Sequence, residues 1–277
     1  LAEALRLVQR AGELDPFNAT CQHTLGEMHL SEGRLDEAGQ AYERARQLNP
    51  NLAAAHGGLG QVALLRGDTD AAESHFRVAL RADENDVQAW TGLGNIAQAR
   101  GDSQRALQLL TQAAELAPDD PLIQTGYAQA MLDQGMLDFA ARAVDNALTV
   151  KPDYPLAQAL RAELHVRKRE WPEALAIYES LLARGEQVAV ARTGLGDIAR
   201  AQGRFDDAIA QYDEALRAQP GMHPAAIRRA DVLARTGRIA QAIDDLRWHV
   251  ASHPGHARAH AQLARQLTRA GRFDEAL

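Results

Sequence analysis

A wholly α-helical fold of stacked antiparallel helix pairs, an α-solenoid, follows from three regularities in this 277-residue sequence. The chain repeats every 34 residues: that shift aligns LGQVALLRGDTDAAESHFRVALRAD (59–83) with LGNIAQARGDSQRALQLLTQAAELA (93–117). Aromatic residues are only 5%, and much of the 46% hydrophobic content is alanine, so packing must bring backbones close together. Strands favour β-branched and aromatic residues instead. Within each period, apolar residues recur twice at helical spacing, with a glycine between the two runs.

Three columns mark the period. Gly33, Gly67, Gly101, Gly135, Gly203, Gly237 and Gly271 stay in register, interrupted only by Arg169. Ala38, Ala72, Ala106, Ala140, Ala174, Ala208, Ala242 and Ala276 form an unbroken second column, and Pro16, Pro50, Pro118, Pro152, Pro220 and Pro254 a third. Each unit opens with a first helix, exemplified by 53–66, where His56, Leu59, Gly60 and Ala63 share one face. Gly67 stops it, as a left-handed residue at a helix C-terminus does. The second helix is expected to start on an aspartate N-cap at Asp36, Asp70, Asp138, Asp206 and Asp274. Pro172 takes that place in the fifth unit, suited to a first helical turn. Ala72, Phe76, Ala79 and Leu80 continue the apolar stripe, and the column proline closes the unit. Small residues at facing positions let helices nest, and such hairpins bury a continuous core by stacking.

Leu59-Gly60, Ala63, Gly67, Ala72, Phe76 and Ala79, with Trp90 at the large first position, resemble the tetratricopeptide repeat, TPR. The resemblance runs the length of the chain and implies a right-handed superhelix whose first helices line a concave groove. The expected organisation is one solenoid: a half unit over 1–18 supplying a second helix, seven complete repeats over 19–256, and a truncated unit over 257–277. Solenoids need polar capping units, and neither end has one; the chain is therefore expected to be a fragment of a longer, bacterial-type protein. The fifth unit departs from the pattern, with Arg161 for leucine, Arg169 for the turn glycine, Leu181 for alanine and Gly185-Glu186 for proline. A change of pitch or a hinge is expected there.

The motif G-x-G-x-x-A, a phosphate-binding turn when it follows a strand, occurs at Gly58/Gly60/Ala63, Gly92/Gly94/Ala97 and Gly194/Gly196/Ala199. Its recurrence in one register, with no β-branched run before it, excludes nucleotide binding as its meaning. The second glycine and the alanine are repeat packing positions. The first glycine is not demanded by the repeat, and inside a helix it costs about 1 kcal/mol against alanine. Gly58, Gly92, Gly126 and Gly194 thus allow two compatible readings: crowding against a neighbouring helix, or a bare strip of groove wall beside Gly57, Thr91, Thr125 and Thr193.

The exposed face of the first helices would carry the ninth position, which reads Glu27, Gln61, Asn95, Gln129, Glu163, Asp197, Asp231 and Arg265. Its amides Gln61, Asn95 and Gln129 can both donate to and accept from a peptide backbone. Leu30, Leu64, Leu65, Leu122 and Leu132 add apolar contact. Arginines gather later, at Arg167, Arg200, Arg228, Arg235, Arg258, Arg265 and Arg269. Glu163 with Arg167, and Asp231 with Arg235, are i, i+4 pairs that would neutralise each other. Arg258, Arg265 and Arg269 have no such acid on their own helix, which suits acidic segments at that end. Two known groove types do not fit. The co-chaperone set that grips a C-terminal carboxylate fails because Gly126 stands where its second asparagine belongs. The sixth-position asparagine ladder of O-linked N-acetylglucosaminyltransferases is replaced by Thr24, Gly58, Gly92, Gly126, Leu160, Gly194, Arg228 and Gln262.

Metal binding is not expected. His249, His253, His256 and His260 are close in sequence, but only His256 and His260 share an i, i+4 face, and zinc needs tetrahedral convergence. No HExxH, CxxC, GxSxG or P-loop occurs. Cys21 is the only cysteine, so no intrachain disulfide can form. The net charge of −7 argues against nucleic acid and anionic membranes as partners, and no window resembles a membrane span. The expected function is a non-catalytic scaffold, without cofactor, that holds a protein or peptide segment, acidic towards the C-terminal end. Two rivals stay open: the TPR arm of a glycosyl- or sulfotransferase, and an envelope scaffold for polysaccharide export. Compartment, cytoplasm or periplasm, is not readable.

Overall fold

A computed structural model describes residues 6–275 apart from 9, 11, 13 and 16. Pro16 and Ala276, the outermost members of their columns, lie outside the described residues. The chain divides into two compact units, Leu1–Gln98 with Gln104–Pro118, and Ala99–Ser103 with Asp119–Leu277. The first holds α1 (Ala19–Ser31), α2 (Leu35–Leu48), α3 (Ala53–Leu65), α4 (Thr69–Ala82), α5 (Val87–Ala99) and most of α6 (Ser103–Leu116). The second holds α7 (Pro121–Asp133), α8 (Leu137–Val150), α9 (Pro155–Lys168), α10 (Trp171–Ala183), α11 (Val188–Ala201), α12 (Phe205–Ala218), α13 (His223–Arg235), α14 (Ile239–Ser252) and α15 (Ala257–Arg269), then a 3₁₀ turn at Phe273–Glu275. The division falls after the third repeat; the aberrant fifth repeat, α9 and α10, lies inside the second unit.

Within each unit the helices pair as the sequence period requires. In the first, α1 packs on α2 and α3 on α4, while α3 also touches α2 and α1. In the second, α7–α8, α9–α10, α11–α12 and α13–α14 are hairpins, and α9, α11, α13 and α15 each also pack on the first helix before them. The alanine column explains the closeness: Ala38, Ala72, Ala140, Ala174, Ala208 and Ala242 are fully buried. No helix among the described residues is long and apolar enough to cross a membrane.

The glycine column ends the first helices by adopting φ between 73° and 82°. Arg169 accepts the same left-handed conformation at φ 63°, which costs an L-residue roughly 1–2 kcal/mol. The aspartates expected as N-caps are displaced by one turn position. Helices α2, α4, α8 and α12 begin at Leu35, Thr69, Leu137 and Phe205, so Asp36, Asp70, Asp138 and Asp206 lie within the first turn. There they act on the positive end of the helix dipole. The cap of α4 is Asp68, whose carboxylate accepts from the Ala71 N–H at 3.0 Å.

A side chain at the fourth position of the first helix fastens the turn before it. His56 Nε2 lies 3.1 Å from the Pro50 carbonyl, Trp90 Nε1 2.8 Å from that of Glu84, Gln158 Nε2 3.0 Å from that of Pro152, and His260 Nε2 2.9 Å from that of Pro254. Size was the legible property of this position; its N–H is the one that works. Arg161, out of place by the repeat pattern, pairs with Asp145 of the preceding helix. Arg229, at the equivalent position two repeats later, pairs with Asp213 at 2.6 Å and Asp245 at 2.7 Å. An arginine replaces the column leucine where a carboxylate waits on the second helix behind it.

Candidate functional site

The recurrent glycines of the first helices are packing positions. A Cβ on Gly58 would lie 2.5 Å from the Tyr42 ring, far inside the about 3.5–4.0 Å of carbon contact. Gly92 and Gly194 leave no more room beside Phe76 and Tyr178. Two of these rings are also held from their own repeat: added Cβ atoms on Gly26 and Gly60 would lie 2.6 Å from Tyr42 and Phe76. The same two positions read Val144 and Leu160 further on, both buried, with the bulk exchanged between them. Gly58, Gly92 and Gly194 are buried, so they are corrected from groove wall to core; Gly126 is half-buried.

The threonines are corrected likewise. Thr125 and Thr193 are buried, and their hydroxyls donate to the carbonyls of Leu122 and Ala189 at 2.7 Å. Thr91, half-buried, donates to Val87 at 2.8 Å. Bonds of this kind within a helix turn leave the hydroxyl little to offer a partner.

What stays accessible differs between the units. In the first, Gln88 Nε2 donates to Gln61 Oε1 at 2.6 Å, tying α5 to α3, and Asn95 is exposed further along α5. Gly57 gives this bridge its space, since a Cβ there would lie 2.8 Å from Gln88 Oε1. Each glutamine keeps one amide group unused by the bridge. Leu65 stands 58% exposed on the same helix as Gln61. In the second unit Leu122 is 58% exposed on the helix carrying Gln129, and Gln129 donates to Asp133 at 3.2 Å.

The arginines of the second unit are largely paired. Arg167 bonds Glu163 at 2.8 Å, as its spacing suggested. Asp197, buried, is the hub of a larger set: it accepts from the Tyr212 hydroxyl at 2.8 Å, pairs with Arg228 at 2.8 Å and lies 3.5 Å from Arg200. Burial, then the adjacent Asp197 charge, pushes the Tyr212 hydroxyl well above its usual range. Asp231 pairs across helices with Arg265 at 3.6 Å instead of with Arg235 along its own. Pairing between successive helices was invisible in a search confined to i, i+4 spacing. Arg235 lies over the Phe205 ring, and it and Arg258 are exposed with no ion-pair partner among the described residues.

A further set of side chains gathers at one end of the last hairpin. His223 opens α13, His249 ends α14, His253 caps it and His256 caps α15. His223 Nδ1 and His249 Nε2 are 2.7 Å apart, and the His256 ring stacks on His223 at 3.9 Å. One ring nitrogen from each of His223, His249 and His253 lies within 4.8 Å of the others. Burial first, then neighbouring imidazoles, pushes His223 and His249 down to about 4. The sequence search missed His223 because an antiparallel hairpin brings the start of one helix beside the end of the next. His260 stands apart on its own turn.

Comparison with known proteins agrees with the repeat architecture. Tetratricopeptide repeat family models match residues 1–53 and 159–223, and 29–96; a cytochrome c-type biogenesis protein H TPR domain model matches 74–188. A bacterial transcriptional activator domain model matches 223–277. No curated protein matches the sequence. Among solved structures, a chain of the APC/C hetero-tetramer Cut9-Hcn1 is similar with TM-score 0.67 and 19% identity, over 96% of this chain and 52% of that one. This chain thus spans about half the length of that relative. A tetratricopeptide repeat protein from Parabacteroides merdae gives TM-score 0.68 and 14% identity, over 90% and 99% of the two chains. The pilF protein of Pseudomonas aeruginosa gives 0.59 and 20%, over 77% and 97%. At these identities the likeness is one of fold.

Proposed function

We propose, from the premise that this chain is a tetratricopeptide-repeat protein, that it is a non-catalytic scaffold holding an extended segment of a partner protein along its first helices. The observation that carries the reading is the company of exposed leucines and unspent amides on those helices. Leu65 and Leu122 are each 58% exposed, on the helices that carry Gln61 and Gln129. Exposed leucines on helices that also carry amides offer a partner segment both apolar and hydrogen-bonding contact. The Gln61–Gln88 bridge leaves a free N–H on one side and free amide donors and acceptors on the other, which is what a peptide backbone needs. Towards the C-terminal end the segment is acidic, because Arg235 and Arg258 there are exposed with no ion-pair partner among the described residues.

A photo-crosslinking residue placed at Asn95, and separately at the exposed Arg81 on second helix α4, tests this in cells. A partner should be trapped from Asn95 and not from Arg81. With that partner purified, Gln61→Ala/Leu65→Asp should weaken binding by roughly tenfold or more, since every 1.4 kcal/mol is tenfold. Equal trapping from both positions, or an unchanged affinity, would overturn the reading.

A further inference from the structure

We propose that His223, His249 and His253 form a binding site for a single divalent late-transition-metal ion of the zinc, cobalt or nickel type. The three imidazoles come from the beginning of α13, the end of α14 and the residue capping α14, so the ion would clamp the two ends of one hairpin together.

The residue types are the first argument. Position 27 of the repeat, where His249 stands, is otherwise Ala45, Ala79, Ala113, Ala147, Leu181 and Ala215. Those side chains are buried, so packing at this point asks for an apolar group, in most repeats a small one. An imidazole there is fully buried, and its Nε2 is turned onto the Nδ1 of another imidazole, His223.

The direction of the lone pairs is the second. His253 Nδ1 lies 3.2 Å from the His249 carbonyl. A carbonyl only accepts, so the proton sits on Nδ1 and the Nε2 lone pair is free. Metal-bound histidines are oriented by this same bond from the other ring nitrogen to a backbone carbonyl. His223 Nδ1 and His249 Nε2 face each other at 2.7 Å, a distance that holds one shared proton. A metal ion takes the place of that proton once the ring that carries it holds it on its other nitrogen, leaving both facing lone pairs for the ion; the two nitrogens then open to about 3.3 Å for tetrahedral bonds of about 2.0–2.1 Å. His256 is excluded as a ligand by its own bond. Its Nδ1 accepts the Ala259 N–H at 3.1 Å, which puts its proton on Nε2. It serves instead as the ring stacked against His223.

The charge environment is the third. The groups acting on His223 and His249 are neighbouring imidazoles, and Arg258 and His260 act on His256. An imidazole ligates through an unprotonated ring nitrogen and brings no charge of its own. Neutral nitrogen donors suit late transition metals and are poor ligands for calcium or magnesium. Three protein ligands leave a fourth position open, as in zinc sites that keep a water or an external ligand.

The test uses the purified protein stripped of metal with a chelator. Cobalt(II) is titrated in and followed by its visible absorption, and zinc by calorimetry and by the unfolding temperature. One ion per chain is expected, together with a rise in unfolding temperature. His249→Ala restores the residue the repeat uses at that position and so should fold; it should weaken uptake on the order of 100-fold, beyond or at the top of the effect of losing a supporting residue. His253→Asn, at a half-exposed helix end, should do the same, whereas His260→Ala should change nothing. No stoichiometric uptake by the parent protein, or uptake within tenfold of the parent in both His249→Ala and His253→Asn, would overturn the site.

Discussion

A Cβ built on Gly58 would stand 2.5 Å from Cε1 of Tyr42, a residue on the second helix of the preceding repeat. The glycine therefore exists for the ring. Close approach between successive hairpins requires one partner to be without a side chain where the other is large, and interiors packed like crystals tolerate little error in volume.

Gly92→Leu should destabilise the protein by about 2–3 kcal/mol through overpacking against Phe76. Introducing the combination found two repeats later, Gly60→Ala/Phe76→Val/Gly92→Leu after Ala128, Val144 and Leu160, should bring stability back to within about 1.5 kcal/mol of the parent. Urea unfolding of the single and triple variants checks this. A triple variant no better than the single would refute volume exchange as the reason for the glycine.

Arg169→Gly should stabilise the fifth repeat. Relief of left-handed strain, roughly 1–2 kcal/mol, is partly offset by the extra freedom of glycine in the unfolded chain, about 0.5–1 kcal/mol. A net gain of about 0.5–1 kcal/mol in urea unfolding is expected, and Arg169→Val should move the midpoint the other way.

Asp197→Ala should cost about 2–3 kcal/mol, because it strands the buried Tyr212 hydroxyl and removes the counter-charge of Arg228. Adding Tyr212→Phe should recover about 1 kcal/mol of that loss. Additive effects in the double-mutant cycle would show that the two residues are uncoupled.

The turn-fastening bond predicts that Trp90→Phe, which keeps an aromatic ring but deletes the N–H, costs about 1 kcal/mol. Amide hydrogen exchange should quicken in the turn at residues 83–86. Unchanged protection there would mean that Trp90 acts through bulk alone.

The parts of the fold legible in the sequence are those dictated by single positions. Gly67 needs a left-handed backbone and Ala72 needs to be small, and both demands repeat in one column. Asp36 was misplaced because aspartate suits both an N-cap and a first turn, and only coordinates separate adjacent positions. The purpose of Gly58 lay in Tyr42, sixteen residues back, so the column in which the glycine sits could not reveal it. Charge pairs such as Asp231 with Arg265 join successive first helices and need the helix phase to be known. The histidine cluster was hidden for a related reason: His223 and His249 meet through the hairpin, at a separation no local motif describes.

The exchange of bulk between Tyr42–Gly58 and Val144–Leu160 also constrains how such a chain can be recombined. An in-frame loss of residues 87–154 keeps the period yet sets Phe76 against Leu160, whereas loss of residues 87–188 sets it against Gly194. The second truncation should be inherited far more readily than the first, although it removes more of the chain. Modules that look interchangeable are thus keyed to particular neighbours, and the admissible shufflings of this gene are written at two positions of each repeat.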